Sequence, residues 1–356
     1  VWLYQVSIQK LILIVIMRVY IQIVLFGLVV LGFMGCKKYN QVDNSGTVKT
    51  PYILYVGGYY GTLHKTNDAL YFNTLFPTDH STVRQVLAAD TMLMYLKENF
   101  YYSRNEGAAF KQSNDHPRNF EDLFYKYFLP NQSLYDKIDK TVYLCTSTGL
   151  EKSTDNGVTF AAETNWAPPT PSPVVRPTSI TQLDNGNLYF IKDSDEIYEK
   201  KVAGAWTKII QNKFLPKDTT VWYISHQNNN LIAIDFSGKY GVAVSTDAGV
   251  NWTVCTGLPK NRKILFGNQS QSLNNSFFVG LDSAGLHRLQ GTTFSASGNG
   301  IPWYAKVHFV VGKKVVYRTD VARYYHFCAT DIGLFISEND GLDWRLLREG
   351  AYSTLY

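Results

Sequence analysis

One octapeptide pattern recurs four times in this chain, and no other feature restricts its fold as tightly. It reads Ser-x-[Asp/Asn]-x-Gly-x-x-[Trp/Phe] and occurs at 103–110, 153–160, 245–252 and 337–344. The residue types are those of a tight turn closed by an aromatic. The Asp or Asn side chain bonds backbone amides of its own turn, and Gly supplies a positive φ. The aromatic then returns along the next strand and packs against its neighbours. The four starts lie 50, 92 and 92 residues apart, so the doubled spacings predict further copies near 199 and 291. Degenerate copies stand there: 199–206 keeps its aromatic with Gly204 one place late, and 287–294 keeps Gly291 and Phe294. An earlier copy, 65–72, keeps Asn67 and Phe72, and the seven starts are then 38, 50, 46, 46, 42 and 50 apart. A period of about 45 residues is that of one four-stranded propeller blade. Composition agrees, since 15% aromatics and 26 Gly point to strands and turns, and 18% charge excludes a disordered chain.

The octapeptides resemble the Asp-box, or BNR, repeat of sialidase-like β-propellers. The resemblance covers about residues 51–350 and implies an all-β fold: a seven-bladed β-propeller of four-stranded antiparallel blades, with six blades as the fallback count. The flanking sequence fits. Strands are expected at 221–225, 231–235, 240–244 and 252–256 around Ser245, and at 142–146, 149–152 and 159–162 around Ser153. The first unit shows only 52–56, 63–66 and 70–73, so it lacks an innermost strand. The tail 351–356 is expected to supply that strand and latch the ring; a frayed terminus is the alternative.

The N-terminus reads as an address rather than a fold element. Residues 11–35 are nearly continuous apolar sequence, with Met17-Arg18 as a start and basic region and 21–34 as the apolar core. Residues 1–16 are then upstream of the true start. Phe33-Met34-Gly35-Cys36 resembles the end of a bacterial lipoprotein signal, which implies a signal peptide over 1–35 and lipidation at Cys36. An uncleaved membrane anchor is the alternative. Residues 36–50 follow as the lipidated Cys and a polar, flexible tether, and 51–356 form a single propeller domain. The expected location is the cell envelope, lipid-anchored to the outer membrane and facing the periplasm.

The formal charge of +5 includes Lys10 and Arg18, so the remainder carries +3, and no nucleic-acid partner is expected. Cys145, Cys255 and Cys328 lie in apolar or β-rich runs and read as buried thiols rather than disulfides. No CxxC, Cys/His cluster or histidine spacing points to a metal, and no cofactor is expected. P-loop, dinucleotide, nucleophile-elbow and zinc-protease motifs are missing from the sequence.

In the resembled family the Asp-box turns are scaffolding between third and fourth strands, away from the binding face. The opposite face receives the connections between blades and the turns between second and third strands. Two connections are long. Phe120, Leu123, Phe124, Tyr127 and Phe128 within 113–132 have helical spacing, which predicts a short amphipathic helix lying on the propeller. Residues 164–177 form a Pro-rich loop carrying Trp166 and Arg176. Candidate ligand-binding residues on this face are Tyr59, Tyr60, Arg84, Trp166, Arg176, Asp235, Arg262, Asp282, Trp303 and Asp331. Aromatic faces stack on sugars or apolar groups, and carboxylates accept hydroxyl or ammonium hydrogen bonds. An Asp at such a turn equally serves its own backbone.

The resemblance also raises a glycosidase. Sialidases of the superfamily hold a carboxylate with three arginines and use a Tyr/Glu pair and an Asp. Arg84, Arg176 and Arg262 fall at or before first strands, yet no aromatic-Arg-Ile-Pro segment is present and no Tyr/Glu pair stands out. The expectation is therefore a membrane-tethered, non-enzymatic binding or assembly scaffold with no catalytic residue assigned. Its partner would be a protein or glycan on the loop face; the alternative is a cell-surface glycan-binding or sialidase-like glycoside hydrolase.

Overall fold

The octapeptide turns organise the structure, a computed structural model that describes residues 48–50, 52–67, 71–76, 82–89, 92–97, 99–113, 131–146, 149–164, 177–192, 196–210, 222–272, 275–317 and 322–356. The expected signal peptide, Cys36, most of the helical stretch at 113–132 and of the loop at 164–177 lie outside these residues. In all four octapeptides the Gly amide donates to the Ser hydroxyl at 2.8–3.0 Å. That hydroxyl donates in turn to the Asp or Asn Oδ1 at 2.7–3.0 Å. The same Oδ1 accepts the amide four residues on, at 2.8–3.0 Å. Two successive residues have positive φ, not one. Glu106, Asn156, Ala248 and Asp340, at 55–62°, precede Gly107, Gly157, Gly249 and Gly341, at 80–93°.

These turns join the third and fourth strands of four of the seven sheets; six sheets have four strands, and Val48–Thr50 adds a fifth to the last blade's four. In chain order, β1 (Val48–Thr50) precedes β2 (Leu54–Gly58), β3 (Leu63–Thr66) and β4 (Asn73–Phe76) of blade 1. Blade 2 is β5 (Gln85–Ala89), β6 (Met92–Leu96), β7 (Phe100–Ser103) and β8 (Lys111–Gln112). Blade 3 is β9 (Ser133–Asp136), β10 (Thr141–Thr146), β11 (Gly149–Ser153) and β12 (Ala161–Ala162). Blade 4 is β13 (Pro177–Gln182), β14 (Leu188–Lys192), β15 (Glu196–Lys200) and β16 (Trp206–Lys208). Blade 5 is β17 (Trp222–Gln227), β18 (Asn230–Asp235), β19 (Val242–Ser245) and β20 (Thr253–Val254). Blade 6 is β21 (Ile264–Ser270), β22 (Ser276–Leu281), β23 (Leu286–Gln290) and β24 (Thr293–Ala296). Blade 7 is β25 (Val307–Tyr317), β26 (Ala322–Thr330), β27 (Gly333–Ser337) and β28 (Arg345–Glu349), and β29 (Tyr352–Leu355) ends the chain.

Burial peaks at the second strands and falls off outward. The second strands β6, β10, β14 and β22 are buried at every residue, because both faces of each sheet are covered by neighbouring blades. The outermost β8, β12 and β20 are exposed. Apolar clusters form between blades rather than within one. Phe100, Tyr135, Leu144 and Phe160 join blades 2 and 3, and Phe266, Phe278, Phe335 and Trp344 join blades 6 and 7. Burying each such side chain contributes about 1.5–3 kcal/mol.

The ring closes as the tail predicts. β29 pairs antiparallel with β2, Val56 facing Leu355, and takes the innermost place in blade 1. Tyr55 and Tyr356 exchange both backbone hydrogen bonds, at 2.9 and 3.0 Å. Tyr52 packs against Phe327 of blade 7 at 5.4 Å between ring centres.

Three expectations change. The tether does not stay free to residue 50, because β1 pairs with the end of β25, Val48 opposite Tyr317 and Thr50 opposite Val316. The strand expected at 70–73 is displaced to Asn73–Phe76. The degenerate copy at 287–294 is no octapeptide turn: Gln290 pairs directly with Thr293, giving a two-residue hairpin with Gly291 at φ 63°. Phe294 nevertheless keeps its place in the core.

Strand direction alternates, so the octapeptide turns share one face with the turns between first and second strands. Connections between blades and turns between second and third strands share the other.

Candidate functional site

The first residues of the innermost strands converge on this second, loop-bearing face, at the mouth of the axial channel. They enclose a cavity of about 120 Å³. Its wall takes Tyr59 and Ser353 from blade 1, Thr82, Arg84 and Gln85 from the entry to blade 2, and Asn131 and Gln132 from the entry to blade 3. Phe236 comes from blade 5, Leu265 from blade 6, and His308 and Phe309 from blade 7. No carboxylate lines it among the described residues.

Most polar groups of the wall are held by neighbouring blades. The Gln85 side chain donates to Ser133 O at 2.7 Å and accepts from Ser133 N at 3.0 Å, locking β5 to β9. Ser353 Oγ donates to Val83 O and Gly57 O, tying the latch strand to the entry of blade 2. Thr82 Oγ1 donates to Tyr59 O at 3.0 Å, and Asn131 Nδ2 to Ile224 O at 3.2 Å.

Across the closure seam the Tyr59 hydroxyl meets His308 Nε2 at 2.6 Å, with the rings edge to face. Burial raises the Tyr59 phenol far above its ordinary range, and Asp331 adds to the shift. Burial, helped by Lys306, lowers the His308 imidazole to about 4. At neutral pH both are uncharged. This is the opposite of an activated nucleophile, which needs its ionised form stabilised.

The sequence-predicted residues separate into groups. Tyr59 and Arg84 belong to the cavity wall. Tyr60, beside Tyr59, is exposed. Asp235 is 0% exposed, and its carboxylate accepts from Ser237 N, Ser237 Oγ and Tyr240 N, so it serves its own turn. Asp331 Oδ1 accepts from Lys306 N at 2.9 Å, and Asp282 Oδ1 from Ser283 Oγ at 3.3 Å. Arg262 is exposed and donates to Ser283 Oγ at 2.9 Å, outside the cavity wall. Trp303 is 76% exposed on the connection between blades 6 and 7. Trp166, Arg176 and Cys36, the expected lipidation site, lie outside the described residues. Arg84 and Arg262 therefore do not line one cavity.

The residues that sequence reading missed are Thr82, Gln85, Asn131, Gln132, Phe236, Leu265, His308, Phe309 and Ser353. Their shared signal is positional: they stand at the entry of a first strand or just after a second one. A scan of those blade positions for any residue type, rather than for arginine and aspartate, would have found them.

A Ser-His-Asp arrangement also occurs between blades 6 and 7. Ser270 Oγ lies 2.8 Å from His326 Nδ1, and His326 Nε2 lies 3.1 Å from Asp340 Oδ1. Ser270 and His326 are 0% exposed, so no substrate reaches the hydroxyl. Arg288 also pairs with Asp340 at 2.5 Å, and the cluster works as an inter-blade tie. Cys145, Cys255 and Cys328 are free thiols; Cys145 and Cys328 are buried and Cys255 is half-buried.

No family model matches the chain, and no curated protein matches it. Solved β-propellers do. The extracellular domain of a hybrid two-component system from B. thetaiotaomicron is 16% identical with TM-score 0.50, covering 74% of this chain and 34% of that one. An ancestral GH74 enzyme is 12% identical with TM-score 0.50, covering 84% of this chain and 47% of that one. YCF48 bound to a D1 peptide is 12% identical with TM-score 0.47, covering 78% of this chain and 94% of that one. At these identities the likeness is one of fold, and the chain spans less than half of the first two proteins.

Proposed function

We propose that this chain is a lipid-tethered binding or assembly propeller of the cell envelope, not an enzyme, and that it holds its partner at the mouth of the axial channel. One observation carries the reading: six of the seven blades contribute to a single preorganised cavity. A concave site with an apolar floor and a few fixed polar groups is the ordinary form of a ligand pocket. Glycoside hydrolysis by the usual route needs two carboxyl groups flanking the bond. The described wall offers none, and its one phenol is pushed away from ionisation. The tether rests on the apolar run before Gly35-Cys36, and the outer membrane facing the periplasm is the proposed location.

The test uses the full chain in detergent micelles with a panel of envelope peptides and glycans. Leu265→Arg fills the cavity from one wall. Saturable binding that this change abolishes, with the melting temperature kept, is the expected result. Release of reducing sugar from any glycan, blocked by the same change, would overturn it.

A further inference from the structure

The loop face beside the cavity is cationic and aromatic over the sector of blades 5 to 7. The connection entering blade 6 carries Lys260, Arg262 and Lys263, and the connection entering blade 7 carries Lys306, all exposed. None of these four cations has a carboxylate partner among the described residues; Arg262 bonds only the Ser283 hydroxyl. The two acids on the adjoining turns are engaged: Asp331 accepts from the Lys306 backbone amide and Asp282 from Ser283. These connections interlock with the wall, because Ile264 N donates to Phe236 O at 3.1 Å and Asp282 N to Lys263 O at 3.1 Å.

On the same connection as Lys306, Trp303 and Tyr304 are 76% and 58% exposed, their rings edge to face at 5.9 Å. They are presented rigidly. Ile301 and Ala305 on either side are buried, and the turn is closed by Ile301 N to Gly298 O and Ala305 N to Pro302 O, at 2.8 and 2.9 Å. Exposed Trp, Tyr and Arg beside a pocket is the composition of a protein-binding hot spot.

We infer that this sector docks an extended acidic polypeptide segment, which places one apolar side chain in the mouth cavity and flanking Asp or Glu residues against Lys260, Arg262, Lys263 and Lys306. The inference rests on the mouth being a binding site, as proposed above. A peptide is favoured over a glycan by the cavity itself. Gln85, Ser353, Thr82 and Tyr59 already bond within the ring, so the surface left to a guest is chiefly Phe236, Leu265 and Phe309. A hydroxyl-rich ring there gives up water without replacement, whereas an aliphatic or aromatic side chain gains by burial.

Fluorescence anisotropy with the full chain in detergent tests this. The probes are an Asp/Glu-rich peptide with a central Leu, the same peptide with that Leu replaced by Ser, its Lys-for-acid counterpart, and oligogalacturonate. The first probe binds best, and its affinity falls steeply with added salt. Combining Lys260→Ala, Arg262→Ala and Lys263→Ala weakens it about tenfold with the melting temperature unchanged. Trp303→Ala weakens it as well. Equal affinity for the Lys counterpart, or indifference to the Leu-to-Ser change, overturns the inference. Oligogalacturonate binding more tightly than the peptide, and lost in Leu265→Arg, overturns the peptide class while the mouth remains a binding site. If no peptide and no glycan binds at the mouth, both readings fall.

Discussion

At the scale of single residues, the turn octapeptides show which positions tolerate no change. At 153–160 the fifth-position Gly is required twice over. Gly157 has φ 82°, and a Cβ there would stand 2.6 Å from Phe100 Cε1. Gly157→Ala is therefore expected to destabilise the protein by about 2 kcal/mol, read as a lower denaturant midpoint at unchanged slope. An unchanged midpoint would mean the turn carries no strain. The need for Gly was legible in the sequence. The positive φ of the residue before it was not, because Glu106, Asn156, Ala248 and Asp340 share no side-chain property that announces it. Histidines set a second prediction. His226 and His308 are both held at about 4 against an ordinary 6.5, by burial in each case and by Lys306 beside His308. Between those values the unfolded chain binds more protons than the folded one, so stability rises with pH across the window. It is fully present above about pH 6.5 and is lost as pH falls towards 4. Replacing both histidines by Gln should reduce the slope of the denaturant midpoint over that range; an unaltered slope would assign the titration to other groups.

Among elements, β29 has the largest leverage. It supplies the inner strand of blade 1, and its Ser353 and Tyr356 reach into blade 2 through Val83 O and Ala88 O. Gly57 on β2 permits the approach, since a Cβ there would lie 2.6 Å from Thr354 Cγ2 and 2.7 Å from Val83 Cγ1. Removing residues 351–356 takes away several backbone hydrogen bonds and buried Tyr352 and Leu355. The melting temperature is expected to fall by about 10 °C or more, and Gly57→Ala should lower it by less. A tail deletion that melts like the full chain would remove the latch from the account. This strand was legible because a unit short of one strand implies a donor elsewhere in the chain. β1 was not legible: Val48–Thr50 sits in a polar stretch, and its partner is the far end of the long β25, a pairing no local pattern encodes. The unit at 287–294 misled for a related reason, since Gly291 and Phe294 serve a two-residue hairpin as well as a longer turn.

For the whole molecule, seven starts spaced about one blade apart pointed to the architecture, whereas the site had no residue pattern of its own. Its residues are brought together only by closing the ring, one or two from each contributing blade, and they differ in chemistry from blade to blade. That is why Arg84 and Tyr59 stood out by residue type, while His308, Leu265 and Phe309, at equivalent blade positions, did not. The register also fixes where the described chain begins. β25 runs from the loop face towards the octapeptide face, and β1 pairs at its far end, so Val48 lies towards the face away from the cavity. The lipid proposed at Cys36 is tested on covalent structure. Intact mass of the purified protein should show a mature chain beginning at Cys36 and carrying acyl groups. Cys36→Ser should keep the leader and take up no labelled fatty acid, with the propeller melting as before. A wild-type mass that retains the leader without acyl groups would make the apolar segment itself the anchor.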